Sequence, residues 1–315
     1  MPTPFNKPWL EYSQQVALLQ GRGLTVSNPA LAIQFLSHVN YYRLSGYCVT
    51  FENGSRHTFV PGTTFEQLRY LYEFDFDLRD LLCEALEIIE VDVRTTVAHY
   101  FGKAYGPFGH TSSANFYQSP PRLPHRLTHP ARPVFEHADW LAGLHKEVKR
   151  SKELFVEHHR NTYSDYPDLP LWIATEVMSF GTLSRMCEGM LVQDQRNIAA
   201  HYGVQRAVLL SWSHHLTVVR NHCAHHSRIW DRIWSVKPEL PAGKSWERPY
   251  LPDNRRLSAT LLILHQMLKR CPSVTAFTTR WRDRVNELLA KPPNAPNVMR
   301  TMGFTQEWAS NPIWK

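Results

Sequence analysis

An arginine, an asparagine and a histidine within six residues, Arg220, Asn221 and His225, are the side chains of this chain best suited to joint chemistry. They lie in the run LTVVRNHCAHHSRIWDR, residues 216–232. The stretch leading into it, AVLLSWSHHLTVV, places Val208, Leu209, Trp212, Leu216 and Val219 at helical spacing, which predicts a helix entering the motif. Asn221 and His225, four apart, then share a helix face. Arg220 and His225, five apart, are separated by about 140° around an ideal helix, an angle that arginine's long side chain can span. A guanidinium, an amide and an imidazole are therefore expected on one spot with no carboxylate among them. Such a set suits a negatively charged substrate and proton transfer near neutral pH.

An arginine followed five residues later by a histidine is a weak signal alone. With 25 Arg and 17 His in 315 residues, chance gives roughly one such pair, and the chain has four: Arg94–His99, Arg132–His137, Arg196–His201 and Arg220–His225. The last is set apart by its surroundings, with Asn after the Arg, Ala before the His and HSRIW trailing. In this extended form the stretch resembles the ribonuclease motif of the HEPN superfamily, and RNHCAHHSRIWDR resembles the signature of abortive-infection (Abi) proteins of the AbiD/AbiF-like type. Four further segments are similar to that family: QGRGLTV with VNYYRLSGY near the start, LYEFDFDLR with IIEVDVRT, Pro170, Trp172, Glu176, Ser179, Phe180 and Gly181 of PLWIATEVMSFG, and the aromatic end MGFTQEWASNPIWK.

The helices that must position the motif follow from apolar periodicity. Residues 9–24 read as a short amphipathic helix stopped by Gly21 and Gly23. A second helix opens with Ser27 or Asn28 as cap and Pro29 at its first position. YCVTFENGSRHTFV, residues 47–60, holds an Asn-Gly turn between β-prone runs and predicts a small hairpin. Residues 61–105 keep helical spacing for some forty positions, as one long helix or two, ended by Gly106-Pro107. On it Glu87, Glu90 and Arg94 stand at i, i+3 and i+7 and read as a salt-bridge ladder. Residues 106–135 change character, with six Pro, three His, three Arg and no acid, and predict a long irregular basic loop. Helical patterning resumes at 137–163. LWIATEVMSFGTLSRMCEGM reads as a core helix bent near Gly181, VQDQRNIAAHYG as a short helix, and two closing helices precede the aromatic tail. The expectation is a single all-α domain over 1–315: helices and hairpin (1–60), the long helix region (61–105), the Pro-rich loop (106–135), a bundle bearing the motif (136–290) and the tail (291–315). The resemblance implies that the bundle is of HEPN type, elaborated with extra helices.

Composition narrows the function classes. The chain is 43% apolar, enough for a substantial core, and its 35 Lys+Arg against 28 Asp+Glu leave +7. Arg outnumbers Lys 25 to 10, a bias toward bidentate phosphate contact. The five cysteines, at 48, 83, 187, 223 and 271, form no C-x2-C pair, and neither a signal segment nor a membrane-length apolar run is present, so a cytoplasmic protein is expected. His222 and His226 with Cys223 between them have a spacing that metals use. No H-E-x-x-H and no second Cys/His pair accompany them, so no metal site is expected. There is no P-loop, dinucleotide fingerprint or G-x-S-x-G elbow, and no cofactor is called for.

The resemblance implies a metal-independent endoribonuclease of anti-phage defence. His225 would be the general acid or base, Arg220 would stabilise the phosphorane, and Asn221 would orient the phosphate or the imidazole. The 2′-hydroxyl would be the nucleophile, so DNA would be inert. Arg228 is expected to contact phosphate or to pair with an acid of the long helix, and His226 to support packing beside the RNA. Arg122, Arg126 and Arg132 of the basic loop are candidate RNA contacts, and Arg94–His99 is a candidate second motif. A homodimer is expected, since one histidine supplies one proton-transfer group. A structured noncoding RNA is the expected silencing partner. The competing readings are an RNA-binding module that does not cut and a protein-binding helical scaffold.

Overall fold

The computed structural model describes residues 4, 6–54, 57–117, 134–251, 253–271 and 274–315. The described residues form thirteen α-helices and no sheet, and their β pairing is confined to isolated bridges. The fold is all-α. None of these helices is long and apolar enough to cross a membrane. By internal contacts the chain divides into two compact units, Met1–Leu78 with Asn286–Met299 and Arg79–Val285 with Arg300–Lys315.

In the first unit, α1 (Tyr12–Gly21) starts at a capping box in which Glu11 and Gln14 satisfy each other's backbone N–H groups. α2 (Pro29–His38) begins where expected, with Pro29 at N1 and the Asn28 side chain accepting from the Leu31 N–H. α3 (Tyr41–Cys48) is capped by Asn40, which accepts from the Tyr42 N–H. The expected hairpin is cut down. Tyr47 and Cys48 stay helical, Val49–Phe51 form a 3-10 turn, and a single antiparallel bridge joins Glu52 to Phe59. Helix continuation buries Tyr47, whose hydroxyl donates to the buried Asp75 carboxylate at 2.7 Å. That burial outweighs the β propensity of the YCVTF run.

The long helix is one helix, α4 (Phe65–Tyr105). It opens at a second capping box, Thr64 with Gln67, and stops at Gly106. That glycine takes φ +75° and returns its N–H to the Gly102 carbonyl, a left-handed position open to a residue without Cβ.

Residues 79–105 of α4 belong to the second unit. The described start of the Pro-rich segment, 106–117, is not irregular: it makes two 3-10 turns and delivers Phe116, fully buried, to a bridge with Met190 and a stack on Phe135. α5 (His137–Arg150) and α6 (Leu154–Thr162) share the stretch 137–163, where helical patterning was expected. α7 (Leu171–Val177) and α8 (Phe180–Gly189) likewise divide the expected bent helix. The break comes at Met178-Ser179, two residues before Gly181, because the Ser179 hydroxyl caps α8 through the Thr182 N–H.

α9 (Val192–His201) leads to α10 (Arg206–Ala224), the motif helix, which packs on α8 and α9. Its inward stripe of Leu209, Trp212, Leu216 and Val219 is buried, at about 2 kcal/mol per large side chain. α11 (Leu257–Leu268) is apolar nearly all round and correspondingly buried. It backs α10 through His215, whose ring nitrogens meet the Val236 carbonyl at 2.8 Å and the Thr260 hydroxyl at 3.0 Å. α12 (Thr275–Leu289) brings Trp281, which donates to the Leu81 carbonyl of α4. After α13 (Val298–Thr301) the tail folds Trp308 and Trp314 into an aromatic cluster with Trp281 and His265.

Candidate functional site

Arg220 and Asn221 stand on the last turns of α10, and all three residues of the Arg220/Asn221/His225 set are exposed. The helix does not run through to His225. It ends at Ala224, and His225 is the cap residue, at φ −91° and ψ 14°, in the bridge region where many active-site residues sit. Its N–H still bonds the Asn221 carbonyl at 3.0 Å, so the one-turn relation between these two residues survives.

The turn beyond is a Schellman closure. His226 takes the left-handed conformation at φ +54°, its N–H meets the Cys223 carbonyl at 2.9 Å, and the Ser227 N–H meets the His222 carbonyl at 2.8 Å. This turn sets the direction in which the chain leaves the motif helix, and His226 stands exposed on it. A glycine usually fills this position. A histidine there is one of the few non-glycine residues enriched at positive φ.

One expectation is corrected at Arg220. A carboxylate does stand in the set: Glu90 of α4 lies 3.6 Å from the Arg220 Nε. At that distance the pair is electrostatic rather than hydrogen-bonded. The Arg220 side chain keeps 44% exposure while that of Glu90 keeps 10%. The other Glu90 oxygen binds Arg94, one turn further along α4, and Arg94 also donates to the Met178 carbonyl at 2.9 Å. Glu90 thus stands between two guanidinium groups, one enclosed and one open to solvent. The Glu90–Arg94 rung of the expected ladder is present.

Met178 precedes the cap of α8, so three segments singled out in the sequence meet here: IIEVDVRT, MSFG and RNHCAHH. Arg94 is engaged in this network, while His99 lies further along α4, exposed, with its ring edge-on to Tyr100.

Arg228 is engaged within its own turn. Its Nε meets Asp231, three residues on, at 2.9 Å. From α4, Arg79 reaches the Ser227 carbonyl at 3.4 Å. His222 packs against the Trp234 ring, and burial, with Arg232 and His225 adding to it, lowers its pKa. Among the described residues no three His, Cys, Asp or Glu side chains gather as metal ligands, and His222 and His226 belong to no such group. Arg122, Arg126 and Arg132 lie outside the described residues.

Two groups at this site were missed from the sequence. Glu90 was placed in a ladder on its own helix, and nothing local signals that Arg220 shares it. The second group is a pair of thiols. Cys83, exposed on α4, hydrogen-bonds with the buried Cys223 of α10. That bond brings the Cys83 pKa down to about 7. Burial and Asp80 oppose the lowering, while Arg220 and Arg79 assist it.

Elsewhere in the unit, His201 of the Arg196–His201 pair meets Asp92 at 3.2 Å beside the Tyr202 hydroxyl, which donates to the same carboxylate at 2.6 Å. That polar cluster joins the end of α9 to α4.

Comparison with known families places residues 34–231 in a match to the family described as Abi-like protein, a span that holds α4, the Ser179 turn and the whole of RNHCAHHSRIWD. No curated protein and no solved structure matches the chain.

Proposed function

Because the chain belongs to the family of Abi-like proteins, which points to a role in abortive infection, we propose that it is a metal-independent endoribonuclease of anti-phage defence, of HEPN type and AbiD/AbiF-like. The observation that carries this reading is the exposed end of α10, where Arg220 is held by Glu90 through charge alone and His225 follows one turn after Asn221.

An RNA phosphate approaching this end meets the open guanidinium of Arg220. In-line attack of the 2′-hydroxyl on that phosphate forms a phosphorane, whose extra negative charge Arg220 stabilises. His225 transfers one proton, from the 2′-hydroxyl or to the departing 5′-oxygen. Asn221, four residues earlier, orients the phosphate or the imidazole. The products are a 2′,3′-cyclic phosphate and a 5′-hydroxyl, and DNA, lacking the nucleophile, is left intact.

One His225 supplies one proton transfer where the reaction uses two. A homodimer that brings two copies of the α10 end together completes the set. In the resting cell a structured noncoding RNA silences the enzyme in the cytoplasm, binding through phosphate contacts at Arg228, His226 and the loop residues Arg122, Arg126 and Arg132.

A second reading is favoured by the exposure of all three motif side chains. Exposed side chains of this kind are also what an RNA-holding module would present, with Arg220 and His225 gripping phosphate without cutting. His225→Ala separates the two. Under the nuclease reading it abolishes cleavage and growth arrest and leaves RNA binding intact. Under the binding reading the parent protein cuts nothing, and the substitution weakens RNA binding.

A further inference from the structure

The face that α4 turns to α10 can be followed residue by residue. On α4, Arg79, Cys83 and Glu90 stand at i, i+4 and i+11, one side of the helix. On the other strand of the contact, Arg220, Cys223 and Ser227 stand at i, i+3 and i+7. The partners run antiparallel: Glu90 meets Arg220, and Arg79 meets the Ser227 carbonyl. Cys83 and Cys223 are the middle rung of the same ladder, and their sulfurs share a hydrogen bond.

The two thiols differ in access. Cys83 is exposed, whereas Cys223 is buried at 3%. Cys48, Cys187 and Cys271 are also buried, and burial pushes each of their thiols up to about 12. A solvent-borne oxidant therefore meets one thiol, already beside its partner and flanked by Arg79 and Arg220, with Asp80 opposing.

We propose that Cys83 and Cys223 form a peroxide-oxidisable thiol pair whose disulfide clamps the motif helix to α4 one turn from Arg220. The Cys83 thiolate attacks a hydroperoxide oxygen; the O–O bond breaks, the alkoxide or hydroxide leaves and takes a proton, and Cys83 becomes a sulfenic acid. The Cys223 sulfur then attacks the sulfenic sulfur, the S–S bond forms, and the hydroxyl leaves with the Cys223 proton as water. Two thiols are oxidised and one hydroperoxide is reduced to an alcohol and water, or to two waters for hydrogen peroxide.

A pKa of about 7 gives half thiolate at pH 7, roughly fifteenfold more than an ordinary cysteine. Lower intrinsic nucleophilicity takes back about fivefold, leaving a net advantage of about threefold.

The test uses the full chain, reduced, desalted and treated with hydrogen peroxide near stoichiometry, then digested without reductant. Mass spectrometry should find the peptides holding 83 and 223 joined, with the other three cysteines still thiols. In Cys83→Ser the Cys223 thiol should survive the treatment. In Cys223→Ser, dimedone should trap Cys83 as the sulfenic acid. Amide exchange of residues 223–227 should slow severalfold on oxidation and recover with dithiothreitol. Sulfinic acid at Cys83 with Cys223 still a thiol in the parent would overturn the pair, and so would oxidation of Cys223 at the parent rate in Cys83→Ser. Unchanged exchange in the linked protein would overturn the clamp.

Discussion

Glu90→Gln is expected to move stability and RNA affinity in opposite directions, because Glu90 serves two arginines in different surroundings. The Arg94 and Glu90 side chains are 17% and 10% exposed, so their pair is close to buried. Removing one charge of a buried pair costs ~3–5 kcal/mol. Glutamine keeps a carbonyl acceptor and Arg94 keeps the Met178 carbonyl, which reduces the loss to about 2 kcal/mol. The Arg220 contact adds little, since that side chain is 44% exposed and 3.6 Å away; such pairs contribute at most ~0.5 kcal/mol. For a unit of this size the melting temperature should fall by about 4–8 °C. The freed Arg220 gains a full uncompensated charge. Affinity for a single-stranded 2′-O-methyl RNA, which cannot be cut, should then rise severalfold, with a salt slope steeper by up to ~0.7. Urea denaturation and fluorescence anisotropy across a salt series read the two effects separately. An unchanged urea midpoint would refute the buried rung, and weaker RNA binding would refute the view that Glu90 competes with phosphate for Arg220.

Other consequences follow from the same geometry. Burial holds the imidazoles of His110, His215 and His265 neutral down to a pKa of about 4, and all three are nearly inaccessible. Their folded values lie below the unfolded ~6.5, so the stability they contribute is complete above pH 6.5 and drains as pH falls toward 4. Each loses about 2 kcal/mol by pH 5, which pH-dependent urea midpoints would check; a flat profile between pH 7 and 5 would contradict it. At the left-handed His226, His226→Asn should be near neutral and His226→Val should cost ~1–2 kcal/mol, measurable by thermal melts. Charge reversal at Arg122, Arg126 and Arg132 together should weaken RNA binding and flatten its salt slope without moving the melting temperature; equal binding by the triple variant would shift silencing to a protein partner.

What could be read from the sequence was local, and what was lost was long-range or sterically subtle. The Asn28-Pro29 start of α2 and the Gly106-Pro107 stop of α4 were legible because cap chemistry sits next to the residues it serves. The helix boundary at Met178-Ser179 was misplaced to Gly181. A glycine at the second helical position is tolerated, whereas a serine hydroxyl satisfying an orphan N–H starts a new helix. The 47–60 hairpin shrank to one bridge because burying Tyr47 on Asp75, a contact across 28 residues, is invisible to strand propensity. At the site, spacing placed Asn221 and His225 one turn apart, and the backbone keeps them so. The end of α10 at Ala224 was hidden, since His226 gives none of the glycine or asparagine signal of a left-handed cap. Glu90 was seen facing Arg94 but not Arg220, and the thiol rung not at all, because each is a tertiary contact between α4 and α10.

Incubation of the purified protein, freed of bound RNA, with single-stranded RNA in excess EDTA tests the central claim most directly. The parent should cut the RNA and leave 2′,3′-cyclic phosphate ends, with a DNA of the same sequence intact. His225→Ala should lose ~10²-fold or more of that rate while binding 2′-O-methyl RNA within twofold of the parent. Cleavage that needs a divalent metal, cleavage of the DNA, or a His225→Ala protein that cuts as the parent does would contradict the account.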